Sequence, residues 1–352
     1  MLGKYVLSFY AKLFLVVNGV LLGIVSSYAL MELLFLFKEK GGGVALSYLT
    51  NLLPIAFFYL LPLSCVIALM ILLNHVFSKK IDLIVQSFGI SPLRFLSSVV
   101  LFLIFISLIN LFLSFGVYAE KNRNLYKIEK EFKKRQEIED LILKDAWFFK
   151  EDNSKRVYIN FKFVSIKDGS VAGIFYVEME NNKIVQVVQG EKGIWMGDTV
   201  FLPLANIWNF KEESKILQQF SIKLFDIKNA KPLGEKVEHL SLRQLLMLYS
   251  IGKSVGLNYN LYMSEVIRRL ISSLSSVPIS ITVLSYTIKR RNIFAGFLSF
   301  LPAFSLYWVS FILVRKLPES TTVSPLYGLF PFVVLIALSL RGIYYLSKGF
   351  RV

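Results

Sequence analysis

One cysteine, Cys65, excludes an intramolecular disulfide and a thiolate zinc cluster, and two histidines, His75 and His239, are too few for a histidine-built metal site. No phosphate loop is present. The nearest match, Gly252-Lys253-Ser254, has Met247 where the first glycine belongs. GxSxG, HExxH and glycine-rich dinucleotide turns are also missing. Outside the middle of the chain the acids are Glu32, Glu39, Asp82, Glu265 and Glu319. ATP hydrolysis, metal chemistry and carboxylate catalysis thus lack the residues they need, and neither an enzyme nor a cofactor is expected.

Apolar surface is what the chain has in excess. Of its 352 residues 55% are hydrophobic, 31 are Phe and only 18% are charged, and the mean hydropathy is +0.57. That composition is an integral membrane protein's. Lys+Arg 40 over Asp+Glu 24 leaves a formal charge of +16, which calls for an anionic neighbour. A helix needs about 20 mostly apolar residues to cross a hydrocarbon core about 30 Å thick. Six segments qualify: Leu13 to Phe37, Leu49 to Phe77, Leu93 to Val117, Leu270 to Ile288, Ile293 to Val314 and Leu326 to Leu346. They form two groups of three. The first opens a long series of spans and is followed by no small-residue cleavage site, so it is expected to stay as a helix rather than act as a removable signal peptide.

The middle is a different polymer. Residues 119–240 hold 21 basic and 19 acidic residues, leaving 19 basic and 5 acidic on the other 230. The expected organisation is spans one to three in 1–118, an inserted domain in 119–240, and a connecting helix with spans four to six in 241–352. The insert opens with a charged helical stretch, Glu120 to Asp140. Val157, Ile159, Phe161 and Phe163 then alternate with Arg156, Tyr158, Asn160 and Lys162, the period of a half-buried strand. Asp168-Gly169 and Asn181-Asn182 mark turns, and Phe220, Ile222 and Leu224 alternate again. An antiparallel, jelly-roll-like β domain closing at Pro232-Leu233-Gly234 fits, and its apolar inward residues offer either a core or a slot for acyl chains. Ser241 is placed to cap an amphipathic helix, Leu242 to Ile251.

Placing both termini in the cytoplasm puts Lys4, Lys79, Lys80, Arg94, Lys289, Arg290, Arg291, Lys348 and Arg351 on the inner side, as the positive-inside bias asks. The β domain is then external. Lys38, Lys40, Arg268, Arg269, Arg315 and Lys316 oppose the bias and fall at the depth of outer-leaflet phosphates, where charge-assisted contacts are strong. They are candidate lipid-binding residues, although Glu265 also stands at helical spacing for an ion pair with Arg268 and Arg269. Glu32 lies inside the first span and calls for a partner or the interface. Arg341 is expected to snorkel, and Cys65 and the span aromatics to pack.

Between spans two and three, SKKIDLIVQSFGISP places Ile81, Ile84, Val85 and Phe88 at helical spacing and ends the helix at Gly89. The segment is either an interfacial anchor or a coupling helix docked on a cytoplasmic ATPase, with Asp82 beside the apolar face.

NLLPIAFFYLLPLSCVIALMILLNHVFSKK followed by IDLIVQSFGIS, and SLRQLLMLYSIGKSVGLNYNLYMSEVIRR with Gly256, Tyr262, Glu265 and Arg269, resemble the corresponding segments of the LptF/LptG lipopolysaccharide-export permeases. The likeness extends over nearly the whole chain. Two positions depart from the family pattern: Ile81 stands where an acid is usual, with Asp82 one step along, and Ser273 precedes a proline delayed to Pro278. The resemblance implies a multi-pass protein of the bacterial inner membrane, paired with a paralogous six-span permease and a cytoplasmic ABC ATPase dimer. It would pass lipopolysaccharide along its periplasmic β domain to a β-jelly-roll bridge protein, with no nucleic-acid partner. The alternative is a non-transporting scaffold or sensor whose β domain binds an envelope ligand.

Overall fold

The computed structural model describes residues 2–132, 142–152, 155–165, 168–181, 183–210, 214–224, 236–255, 258–320 and 323–348. Its elements run α1 (Leu2–Lys40), α2 (Gly42–Ser78), α3 (Ile81–Ser87), α4 (Pro92–Phe115), α5 (Val117–Phe132), β1 (Ile142–Asp152), β2 (Lys155–Ser165), β3 (Ser170–Glu180), β4 (Lys183–Met196), β5 (Thr199–Asn209) and β6 (Ser214–Lys223). After these come α6 (Leu242–Val255), α7 (Asn260–Leu274), α8 (Ser276–Arg290), α9 (Ile293–Ser320) and α10 (Phe330–Ser347). Two compact units result, one of residues 1–133 with 264–352 and one of residues 134–263. Composition changes at 118 and 240 instead, because the amphipathic helices pack across those limits. Leu125 and Ile128 of α5 lie against Leu33, Leu36 and Tyr48 of α1 and α2, and Ile251 of α6 lies against the β core.

Among the described residues six helical segments are long and apolar enough to cross a membrane: Gly3–Lys38, Gly42–Ser78, Pro92–Phe115, Asn260–Arg290, Ile293–Pro318 and Pro325–Ser347. All six expected spans are present, lengthened because the helices continue past their apolar runs. α2 and the α7–α8 pair are the most enclosed, while α1 buries the least of itself. Tyr28 and Met31 on α1 and Phe112 on α4 stand outward, 90%, 78% and 81% exposed, as side chains solvated by lipid do. Pro278 cannot donate to the Leu274 carbonyl, so the ladder lacks one bond where α7 meets α8, while Ser275 keeps helical angles and its N–H reaches Ile271 O at 2.9 Å. Ser272, Ser273, Ser275, Ser276 and Ser280 are all buried there. Such small side chains let backbones approach closely, and Ser107 of α4 hydrogen-bonds Ser276 directly.

In the second unit six strands pair antiparallel in the order β1-β2-β3-β4-β5-β6. A flat sheet would hold β1 and β4 roughly 14 Å apart, three strand spacings. Yet the rings of Phe148 on β1 and Trp195 on β4 are 6.0 Å apart, and those of Tyr176 on β3 and Phe220 on β6 are 5.4 Å apart. The sheet therefore curls over its inner face, in the manner expected of a jelly-roll-like domain. Register shifts at Glu178/Met179 and Leu202/Ala205 add curvature. Pro203, which has no N–H to give a ladder, falls in the second of them. Gly193 admits the close approach of β5 beside that irregularity: a Cβ there would come within 2.5 Å of Leu202 Cδ2 and 2.8 Å of the Phe201 carbonyl. Ser241 caps α6 reciprocally, the Gln244 amide oxygen accepting from the Ser241 N–H at 2.8 Å.

Candidate functional site

Backbone geometry fixes α3 at both ends. Lys80 is left-handed, with φ 55°, at its start. At its end Gly89 has φ 69° and donates to Gln86 O at 2.8 Å, while the Ile90 N–H reaches Val85 O at 3.3 Å. These are the two bonds of a Schellman motif, whose left-handed position glycine fills without strain. Ser91 and Pro92 start α4 immediately, with Ser91 Oγ accepting from the Arg94 N–H. The seven-residue helix thus has little freedom in length or rotation. Its buried side carries Val85 and Asp82, 2% and 3% exposed, and Ile81 is half-buried. Its outer side carries Ile84 and Phe88, 54% and 76% exposed.

Asp82 points inward. Its Oδ2 accepts from Arg291 Nε at 2.8 Å and its Oδ1 from Nη2 at 3.4 Å. Arg291 is the left-handed cap of α8, with φ 46°. The fork joins the turn between spans two and three to the turn between spans four and five. Beside it an apolar cavity of about 290 Å³ opens between α1, α2, α3 and α4, lined by Tyr5, Phe9, His75, Ile84 and Phe88 among others. It has the size and polarity to receive an apolar side chain from outside the chain.

A second polar centre lies at the start of the fourth span. Glu265 takes Arg268 in a fork, Nε at 2.6 Å and Nη2 at 2.8 Å, and Arg269 Nε at 2.8 Å. Arg268 also donates to the Tyr59 hydroxyl at 2.9 Å, which shares a hydrogen bond of 2.7 Å with Tyr118. The surplus cation is met by aromatic faces and a carbonyl. Arg268 lies 5.1 Å from the Phe311 ring, Arg269 lies 5.4 Å from the Tyr118 ring, and Arg269 reaches Ser114 O at 3.4 Å. The helix spacing forecast the Glu265 pairs. It gave no hint of Tyr59, Tyr118 and Phe311, which come from three other helices.

The six candidate lipid-binding cations separate into two environments. Arg268 and Arg269 are enclosed, at 2% and 0% exposure, while Lys38, Arg315 and Lys316 are exposed. The side chain of Lys40 lies outside the described residues. Glu32 accepts a hydrogen bond from the Tyr48 hydroxyl. In the β unit Ile159 and Phe161 are buried, Phe161 stacking on Trp195 at 5.8 Å, whereas Val157 and Phe163 are half-buried. Residues 153–154, 166–167, 182 and 225–235, which include the expected turn residue Asn182 and the closing Pro232-Leu233-Gly234, lie outside the described residues.

A family model described as lipopolysaccharide export system permease LptF/LptG matches residues 4–346. The chain is also similar to a protein of Aquifex aeolicus (strain VF5) described as an uncharacterized protein, with 36% identity over 357 residues covering 100% of both chains.

Proposed function

Because the chain belongs to the LptF/LptG family of lipopolysaccharide export permeases, we propose that it is one membrane half of an ABC transporter, driven through α3 by a cytoplasmic ATPase dimer. A second six-span permease would complete the membrane part. The observation that carries this reading is the two-sided build of α3. One face is locked into the helical core by Val85 and the Asp82 fork, and the other leaves Ile84 and Phe88 uncovered beside an apolar cavity. An apolar face left bare next to a basic inner surface suits a protein partner.

In this reading both termini are cytoplasmic and the β unit is periplasmic. Lipopolysaccharide enters from the outer leaflet of the inner membrane, its phosphates meeting Lys38, Lys40, Arg315 and Lys316. Arg268 and Arg269, clamped by Glu265, hold the helices that frame the path and reach lipid only when that cluster opens. Acyl chains then pass along the β unit at Val157 and Phe163, over a core that includes Ile159 and Phe161, toward a bridge protein of similar fold.

Co-expression and reconstitution into lipopolysaccharide-containing proteoliposomes test the proposal. The expected result is that a small soluble ATPase and a second six-span chain copurify, and that ATP drives release of lipopolysaccharide. Neutralising Lys38, Arg315 and Lys316 together should reduce release most strongly at low salt, where exposed charges are least screened. A complex without an ATPase would contradict it.

A further inference from the structure

A small cleft between α8 and α10 lies apart from α3 and from the Glu265 cluster. Ser285, Tyr286 and Lys289 line it from α8, and Leu338, Arg341 and Tyr345 from α10, around about 40 Å³, room for roughly three water molecules. The helices are in close contact at its floor, where a Cβ on Gly342 would come within 2.8 Å of Ser285 Oγ. Above this floor two cations turn to one ring. Lys289 Nζ is 4.9 Å and Arg341 Cζ 5.5 Å from the Tyr345 centroid, and Arg341 Nη2 also donates to the Tyr345 hydroxyl at 3.3 Å. No acid lines the cleft among the described residues. Arg291, two residues past Lys289, is engaged by the Asp82 carboxylate, so that acid is already matched with a cation outside the cleft.

Ordinary anchoring accounts for half of this arrangement. Lys289 stands in the last turn of α8 and answers that helix's dipole, but Arg341 stands six residues before Ser347, the end of α10, beyond the reach of that effect. Two exposed like charges gathered at one ring, with no acid lining the cleft among the described residues, make an anion a favourable occupant. The aromatic face holds both cations while leaving most of their N–H donors without a protein acceptor among the described residues.

We propose that this cleft binds the phosphodiester headgroup of an anionic phospholipid in the leaflet on the side where α8 and α10 end. Lys289 and Arg341 would clasp the phosphate, and Tyr286 would stand at its edge. The cleft has the matching polarity along its depth. Its cations lie toward the helix ends, while Leu338 lies one turn deeper in the span, where a glycerol backbone and acyl chain would run. Basic pockets between spans recognise headgroups in this way. The assignment needs α8 and α10 to cross a membrane and does not depend on the ATPase or on the transported lipid.

The full-length chain, purified in a neutral detergent, is titrated with phosphatidylglycerol or phosphatidylcholine and the bound lipid counted by native mass spectrometry. Two cations facing one phosphate should favour phosphatidylglycerol by at least about 10-fold. Lys289→Gln with Arg341→Gln should abolish that preference. Lys289→Arg with Arg341→Lys should retain it, which separates charge from misfolding. Lys4→Gln with Arg94→Gln, removing two exposed cations outside the cleft, should leave it unchanged. Inorganic phosphate in excess should fail to displace the lipid. The proposal is overturned if the double Gln protein keeps the preference, if the Lys4 and Arg94 pair loses it equally, or if phosphate alone displaces the lipid and so marks a free-phosphate site.

Discussion

Single side chains decide most where charge is enclosed. Arg269 is fully buried and Arg268 nearly so, and both depend on Glu265. Removing one partner of a buried pair leaves an uncompensated charge, so Glu265→Gln should cost about 3 to 5 kcal/mol, read as a lowered unfolding midpoint in detergent. An unchanged midpoint would mean that tyrosines and carbonyls alone satisfy the arginines. The Asp82–Arg291 fork is asymmetric, with side chains 4% and 47% exposed. Arg291→Ala strands a buried carboxylate and should cost about 1 to 3 kcal/mol, more than Asp82→Asn, which removes the charge that needs a partner. Equal losses would contradict the burial of Asp82. The sequence spacing disclosed the i,i+3 and i,i+4 pairs of Glu265 because they lie on one helix. It left Tyr59 and Arg291 hidden, since each partner is 209 residues away and no local pattern encodes such a contact.

Elements were more legible than contacts. The turn chemistry of Gly89 and the alternation through Val157 to Phe163 each reflect a backbone rule that acts over a few residues, and so do the Ser241 cap and the apolar length of the spans. The curl of the sheet was not legible in this way. It depends on Phe148 meeting Trp195 and Tyr176 meeting Phe220 across non-neighbouring strands. The curl divides the inward residues of β2 by depth. Phe161→Ala should destabilise the β unit by about 3 to 5 kcal/mol, measured by its own unfolding transition, and half-buried Phe163 should cost less. A photo-crosslinker at Phe163 should capture lipopolysaccharide in an ATP-dependent way while one at Phe161 captures protein. Lipid capture at Phe161 alone would invert the proposed path.

At the scale of the whole molecule, the chain combines six apolar spans, a curled antiparallel sheet and one short helix locked on one face and bare on the other. Membership of the LptF/LptG family gives these parts a common purpose, export of lipopolysaccharide, and our proposal is that energy enters at α3. The most direct test compares affinity-tagged wild-type chain with Ile84→Glu, both co-expressed with their cellular partners and extracted in mild detergent. A carboxylate on that face, desolvated by a partner, should cost several kcal/mol of association. The account predicts that Ile84→Glu inserts normally, keeps the second six-span chain and loses the ATPase. Retention of the ATPase at the wild-type ratio would contradict it.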